Sequence, residues 1–137
     1  MARLIVSEPF DFGDILEPDE VMDQMLEKAA DVVAKSQKQT AKSMLSGKYS
    51  TGELAESIQK GKISGSGQGK AIKIGFKGSR RRYNTTTRNA EIAYINEFGK
   101  RGQPARPFID TANKQCENET FSAAEEVFDN WLSSKGF

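Results

Sequence analysis

Apolar residues recur at helical spacing in two long segments, one near each end of the chain. The first stripe runs through Val21, Met22, Met25, Leu26, Ala29, Val33 and Ala34. The second runs through Phe108, Ile109, Ala112, Cys116, Ala123, Ala124, Val127, Phe128, Trp131 and Leu132. Residues three and four apart share one face of a helix, and Pro18 and Pro107 both suit a first helical position. The pattern predicts long amphipathic helices over about 18–46 and 107–134.

The segment between these helices carries shorter patterns. Two apolar residues one helical turn apart predict a short helix over about 51–60. Alternating apolar and polar residues then predict a β-hairpin made of segments 60–65 and 70–78. Residues 80–88 are polar and basic and are predicted as a loop, whereas 90–98 is apolar in a helical or mixed pattern.

Together these elements predict an α+β fold, in which a small antiparallel sheet packs against two long amphipathic helices, one N-terminal and one C-terminal. The length of 137 residues fits a single domain, 1–137. Residues 1–17 are expected to form an extended N-terminal arm and residues 18–134 the folded core. Residues 4–6 suit either a short strand or an anchor within that arm. A small sheet leaves edges unpaired, and a ring of subunits would cover them.

The composition argues against most forms of catalysis. The chain has no histidine and one cysteine, Cys116. It therefore lacks the commonest general base and metal ligand, and it cannot form an internal disulfide. Cys116 falls on the apolar stripe of the last helix, so a core position is favoured over a nucleophile. We expect a non-enzymatic protein with no catalytic residue, no bound metal and no cofactor.

Nucleotide-binding and membrane proteins are disfavoured as well. The glycine-rich stretch 65–70 would need glycine at position 64 and serine or threonine at 71 to match a phosphate-binding loop, but Ser64 and Ala71 stand there. No apolar run approaches the roughly 20 residues that span a bilayer, and the first residues are too short for a signal-peptide core. We expect a product made in the cytoplasm, without membrane contact.

Charge is arranged in blocks although the net charge is only +1. Residues 1–31 carry two basic and nine acidic residues, a net charge of −7. Residues 32–107 carry sixteen basic and four acidic residues (+12), and residues 108–137 carry two basic and six acidic residues (−4). Such blocks suit a subunit whose acidic surface meets the basic surface of a neighbour. They fit equally well a chain whose termini fold back onto its own basic middle.

The basic middle contains four candidate contacts to a partner or to DNA: Arg80, Arg81, Arg82 and Arg88. Arginines neutralise phosphates, and Tyr83 among them offers a ring on which a base could stack. Basic segments are more often solvated or paired with acidic neighbours, so a contact with another subunit is weighed beside the contact with DNA.

A glycine and two prolines shape the segment that precedes the last helix. Gly99 can end a short helix in a left-handed conformation, and Pro104 and Pro107 each fix their own φ. Glu97 lies just before this turn, and Arg106 is the best placed cation for an ion pair with its carboxylate. These residues either only shape a turn or, through it, present a rigid surface to the next subunit.

Two stretches of the sequence, AEIAYINEFG at 90–99 and PARPFI at 104–109, resemble the signature of one phage family. The order of elements over about 18–134 also resembles that family, the neck and tail-completion proteins typified by gene product ten of phage HK97. The acidic N-terminal stretch and the triple arginine do not belong to the pattern. The matching positions are Tyr94, Glu97, Gly99, Pro104, Ala105, Arg106, Pro107 and Phe108.

The resemblance implies a virion structural protein at the head–tail junction. It would form a homo-oligomeric ring, six-fold or twelve-fold, that completes the neck or tail and lets DNA pass through its lumen without specific binding. The implied partners are other copies of the chain, a head-completion or connector protein, and a tail tube or tail terminator protein. Two alternatives stay open: a tail terminator ring that caps the tail tube, and a small nucleic-acid-binding protein that uses the basic middle.

Overall fold

The computed structural model describes residues 3–5, 18–45, 52–65, 69–82 and 84–136. Within these ranges the chain forms five strands and four helices. In chain order they are β1 (Arg3–Ile5), α1 (Pro18–Met44), α2 (Glu53–Glu56), β2 (Ile58–Lys60), β3 (Ala71–Phe76), β4 (Ser79–Arg82), β5 (Thr85–Arg88), α3 (Asn89–Phe98) and α4 (Phe108–Ser134). The middle of the predicted turn at 65–69 lies outside the described residues, as does Tyr83.

The two predicted amphipathic helices are confirmed as α1 and α4, each 27 residues long. They pack against one another along their apolar stripes and are also joined by polar contacts. Ser36 donates to the carbonyl oxygen of Ala112 at 3.1 Å, and Gln37 donates to Asn113 Oδ1 at 3.0 Å. Gln37 is 1% exposed, so its side-chain amide is buried with a partner, as burial of a polar group requires.

One main apolar core joins the helices to the sheet. Phe108, Leu26, Ile58, Ile72 and Ile74 are its largest fully buried apolar side chains. They come from α4, α1, β2 and β3, so each long helix and the sheet contribute to the same cluster. The arrangement confirms the predicted α+β class, because a sheet with one apolar face buries it against helices.

The sheet has three strands in the order β1–β3–β2, and both pairings are antiparallel. Strand β3 lies in the centre, where Leu4 pairs with Ile72 and Gln59 pairs with Gly75. The predicted hairpin is confirmed, but its first strand lies earlier, over Ile58–Lys60, and among the described residues Ser64 adds an isolated bridge to Ala71. Of the two interpretations of the first residues, the structure supports the short strand, over 3–5.

The predicted helix over 51–60 is wrong for its second half. Helix α2 ends at Glu56, where Ser57 donates its hydroxyl proton to the carbonyl oxygen of Leu54 at 2.6 Å. Ile58 follows Leu54 at helical spacing, yet it begins β2 and pairs with Phe76. Leu54 and Ile58 are both buried, Leu54 from a helix and Ile58 from a strand, so the pairing with β3 rather than the spacing decides the conformation of Ile58.

The predicted polar loop over 80–88 is also wrong, because this segment forms the antiparallel β4–β5 hairpin. Arg82 pairs with Thr85, which leaves two residues for the turn, and Ser79 pairs with Arg88. β-branched threonines favour extended backbone, which gives β5 a local reason to form. The sequence shows no apolar alternation here because the hairpin has no apolar face to bury.

Candidate interaction surface

The turn between α3 and α4 is fixed at its start by Gly99. Its φ is 79°, and a Cβ placed there would lie 2.8 Å from the main-chain nitrogen of Ala105 and 2.9 Å from the carbonyl oxygen of Gln103. A side chain is therefore excluded twice, by the backbone conformation and by the close return of the chain. The predicted role of Gly99 in ending the helix is confirmed, since its N–H still donates to the carbonyl of Ile95 at 2.7 Å.

The end of the same turn is tied to the buried Asn96. The main-chain N–H of Arg106 donates to the carbonyl oxygen of Asn96 at 2.6 Å, and the Arg106 guanidinium donates to its side-chain oxygen at 2.7 Å. Asn96 in turn donates to the carbonyl of Ile92 at 2.9 Å. Asn96 was not singled out from the sequence, although it lies inside the signature segment.

Glu97 does not form the predicted ion pair with Arg106. Its two carboxylate oxygens accept the main-chain N–H groups of Ile109 and Asp110, at 2.8 and 3.1 Å, in the first turn of α4. No side chain of the flanking residue Pro107 caps this helix, so Glu97 of α3 does so from twelve positions away. A carboxylate at a helix N-terminus is favourable because free N–H groups and the helix dipole converge there.

Phe108 anchors the far end of the turn in the core. Its ring is 0% exposed and meets Phe76 of β3 edge-on, with ring centroids 6.0 Å apart. The four residues before it, Pro104 to Pro107, are exposed. The signature residues thus divide into those that brace the turn from inside and those that face outward.

Helix α3 presents two large aromatic side chains to the outside. Tyr94 and Phe98 are 64% and 67% exposed, and their rings lie 4.8 Å apart in a tilted arrangement. They are four residues apart, so they occupy the same face of the helix. We call these two residues the α3 aromatic surface. The sequence singled out Tyr94, and the i+4 spacing was the available signal for Phe98.

The candidate arginines lie on the two strands of the β4–β5 hairpin. Neighbouring strand residues point to opposite sheet faces, which separates Arg80 from Arg81. Arg80 Nε lies 3.2 Å from a carboxylate oxygen of Glu53, and Arg88 donates to Glu91 at 3.2 Å. Arg81 is exposed, and Arg82 lies in β4.

The N-terminal acidic block is partly neutralised by the basic middle of the same chain. Lys60 of β2 contacts Glu27 and Asp31 of α1 at 2.6 and 2.8 Å, and Lys70 contacts Asp23 at 2.7 Å. Hydrogen bonds to Asp31 and then Glu27 raise the pKa of Lys60 above its ordinary value. For α1, the structure therefore supports the interpretation in which the chain folds back on itself.

The acidic block of α4 behaves differently. Beyond the first turn of this helix, its carboxylates form no ion pair with any side chain that the structure describes. An aromatic side chain, Phe121, lies among them and is 59% exposed. We call this set the α4 acidic face: Glu117, Phe121, Glu125 and Asp129.

Two further predictions concern the interior. Cys116 is 3% exposed and belongs to the main core, as predicted. Trp131, for which the sequence left a core and an interface position open, is 7% exposed and packs with Val21 in a second cluster.

Within the described ranges, no three cysteine or acidic side chains are placed to hold a metal ion. None of the helices described combines the length and apolar character needed to cross a membrane.

These features define a class of protein: a small α+β protein in which buried residues of α3 and α4 brace an outward-facing turn between the two helices. A family model supplies the next step, since the HK97-gp10-like family of bacteriophage tail components matches residues 14–99. Because this match covers more than half of the chain, the protein belongs to that family of phage tail components. The match includes Tyr94, Glu97 and Gly99 and ends before the Pro104–Pro107 segment. Among curated proteins and among solved structures, none matches the chain.

Proposed function

We propose that this tail component is a non-enzymatic subunit of a homo-oligomeric ring at the phage head–tail junction. The ring, six-fold or twelve-fold, would complete the neck or tail and let DNA pass without specific binding. Its neighbours would be a head-completion or connector protein on one side and a tail tube or tail terminator protein on the other. Membership of a phage tail family supports the virion role.

The observation that carries the proposal is the α3 aromatic surface beside a braced turn. Exposed aromatic residues are enriched where proteins meet, because they bury a large apolar area at small entropic cost. Tyr94 and Phe98 expose about two-thirds of their area, and Glu97 between them is held by α4. A rigid surface loses little conformational entropy on binding, which suits a permanent assembly.

The experiment deletes the gene from its phage, restores it in trans and images the lysates by electron microscopy. Filled heads beside separate tails, with none joined, are expected in the deletion. Tails of uncontrolled length would favour the terminator ring, and normal infectious particles would refute a role at the junction.

A matched pair of variants then tests the aromatic surface itself. The double variant Tyr94→Ser with Phe98→Ser should fail to restore joined particles, although the protein accumulates and stays folded. Gln39→Ser, at an exposed position of α1, should restore them as the wild type does. Full restoration by the double variant would remove the α3 aromatic surface from the proposal.

Nucleic-acid binding is the second candidate function, and the exposed Arg81 on the β4–β5 hairpin favours it. Contacts to phosphates release counterions, so binding by this route would weaken steeply with salt. A lack of retention of the purified protein on double-stranded and single-stranded DNA at low salt would exclude it.

A further inference from the structure

We propose that the β4–β5 hairpin of one copy docks on the α4 acidic face of a neighbouring copy, with Arg81 over Phe121. The inference rests on the proposed ring and names the two surfaces that meet in it. One surface is basic and the other acidic, and neither Arg81 nor the carboxylates of the α4 acidic face form an ion pair with a side chain that the structure describes.

The hairpin supplies the basic partner. Arg81 is exposed and forms no ion pair with another side chain that the structure describes. Its cross-strand partner is Thr86, and the adjacent pair on the same hairpin face is Ser79 with Arg88. All four residues of this face are exposed. A two-stranded hairpin without an apolar face is marginal by itself, so docking would stabilise it.

The α4 acidic face has the chemistry that holds an arginine. Phe121 presents its ring to the outside, and Glu117 and Glu125 lie one helical turn before and after it. A guanidinium on an aromatic ring gains a cation–π contact, and carboxylates on either side accept its N–H groups. A buried aromatic residue with an arginine partner is the usual composition of an interface hot spot.

A second copy is the occupant that the charges favour. Three acidic residues of α1, Asp23, Glu27 and Asp31, are already paired with Lys60 and Lys70 within the chain, whereas the carboxylates of the α4 acidic face have no such partner among the described side chains. The negative charge of the α4 acidic face would repel DNA, so DNA would not cover Phe121. Since the hairpin and α4 are different patches, the contact is of the head-to-tail kind, which forms a ring when the rotation between successive copies closes.

Sedimentation velocity of the purified full-length protein over a concentration series at low salt tests the contact. Arg81→Glu and Glu125→Arg should each raise the dissociation constant of self-association at least about tenfold, as loss of a close charge pair at an interface does. Combining the two changes restores opposite charges and should recover most of the affinity. Phe121→Ala should weaken association without any change of charge.

Lys62→Glu is the matched control, because it reverses the charge of another exposed residue and should leave association unchanged. Circular dichroism and the urea midpoint check that each variant is folded. A wild-type protein that stays monomeric throughout would overturn both this contact and the proposed ring. Self-association that none of the α4 and hairpin variants weakens would overturn this contact alone. Failure of the charge swap to recover association would overturn the direct pairing of Arg81 with the Glu125 region.

Discussion

Replacing Glu97 by alanine is expected to destabilise the start of α4, although Glu97 itself belongs to α3. Glu97 is 8% exposed, and its carboxylate accepts the N–H groups of Ile109 and Asp110. Ile109 is buried, so the variant leaves its N–H without a partner, whereas Asp110 is exposed and its N–H can turn to water. The two losses are therefore unequal.

The magnitude follows from this difference. Losing a hydrogen bond to a charged group and leaving a buried N–H unpaired costs about 2–3 kcal/mol at Ile109, and the exposed N–H of Asp110 adds about 0.5–1 kcal/mol. A carboxylate in the last turn of a helix opposes the helix dipole by about 0.3–1 kcal/mol, and its removal offsets part of the loss. We expect a net loss of about 2–3 kcal/mol for Glu97→Ala and about half of that for Glu97→Gln, which keeps one acceptor.

Urea unfolding followed by circular dichroism measures the loss. For a denaturant slope of about 1–3 kcal/mol per molar, the midpoint should fall by roughly 0.7–3 M with an unchanged slope. Glu91→Ala is the control on the same helix, since it removes an exposed pair with Arg88 and an exposed carboxylate in the first turn of α3, and it should cost less than about 1 kcal/mol. If Glu97→Ala costs no more than Glu91→Ala, the carboxylate does not hold the first turn of α4.

Three further perturbations test other parts of the structure. Gly99→Ala should lower the free energy of unfolding by about 2–3 kcal/mol, because the backbone is at positive φ and the added Cβ would overlap the main chain of Gln103 and Ala105. Gly102→Ala is also at positive φ but meets open space, and it should cost about 1 kcal/mol in the same urea titration. Phe108→Ala should lower the free energy of unfolding by about 3–5 kcal/mol by opening a cavity in the core, whereas the exposed Phe121→Ala should change it by less than about 0.5 kcal/mol. Equal losses in the two variants would contradict the burial of Phe108 and the exposure of Phe121. The ion pairs of Lys60 with Asp31 and Glu27 raise its pKa, so they stabilise the fold fully below the ordinary pKa of 10.5 and stop doing so as the pH rises through the folded-state pKa. The free energy of unfolding should therefore fall more steeply above pH 10.5 in the wild type than in Lys60→Met. Parallel curves for the two proteins would argue against the ion pairs.

The helices could be predicted because their apolar stripes are long and regular. Val21 to Val33 and Phe108 to Leu132 repeat at helical spacing over many turns, and local rules for prolines mark where each helix starts. Ile72 and Ile74 alternate with polar residues and gave the central strand in the same way. In these segments, the local pattern and the tertiary packing agree.

The failures share a physical cause, which is that distant partners decide the outcome. Ile58 fits a helix by spacing, but its pairing with Phe76 makes it a strand residue. The hairpin at 79–88 buries no apolar face, so no period marks its strands. The sequence predicted a cation as the partner of Glu97, whereas Glu97 caps the first turn of α4. Sequence rules for helix caps consider residues next to the helix start, so they do not find a carboxylate that comes from another helix.

The packing of α1 on α4 also has a consequence for folding while the chain is being synthesised. Their contacts join residues as far apart as Ser36 and Ala112, 76 positions along the chain. While the ribosome is still synthesising the middle of the chain, the apolar stripe of α1 has no α4 to cover it, and β1 has no β3 to pair with. Contacts between distant segments form late and slow the folding of a chain. The apolar stripe of α1 is therefore open to wrong association during synthesis, and the core can be completed only after α4 has emerged from the ribosome.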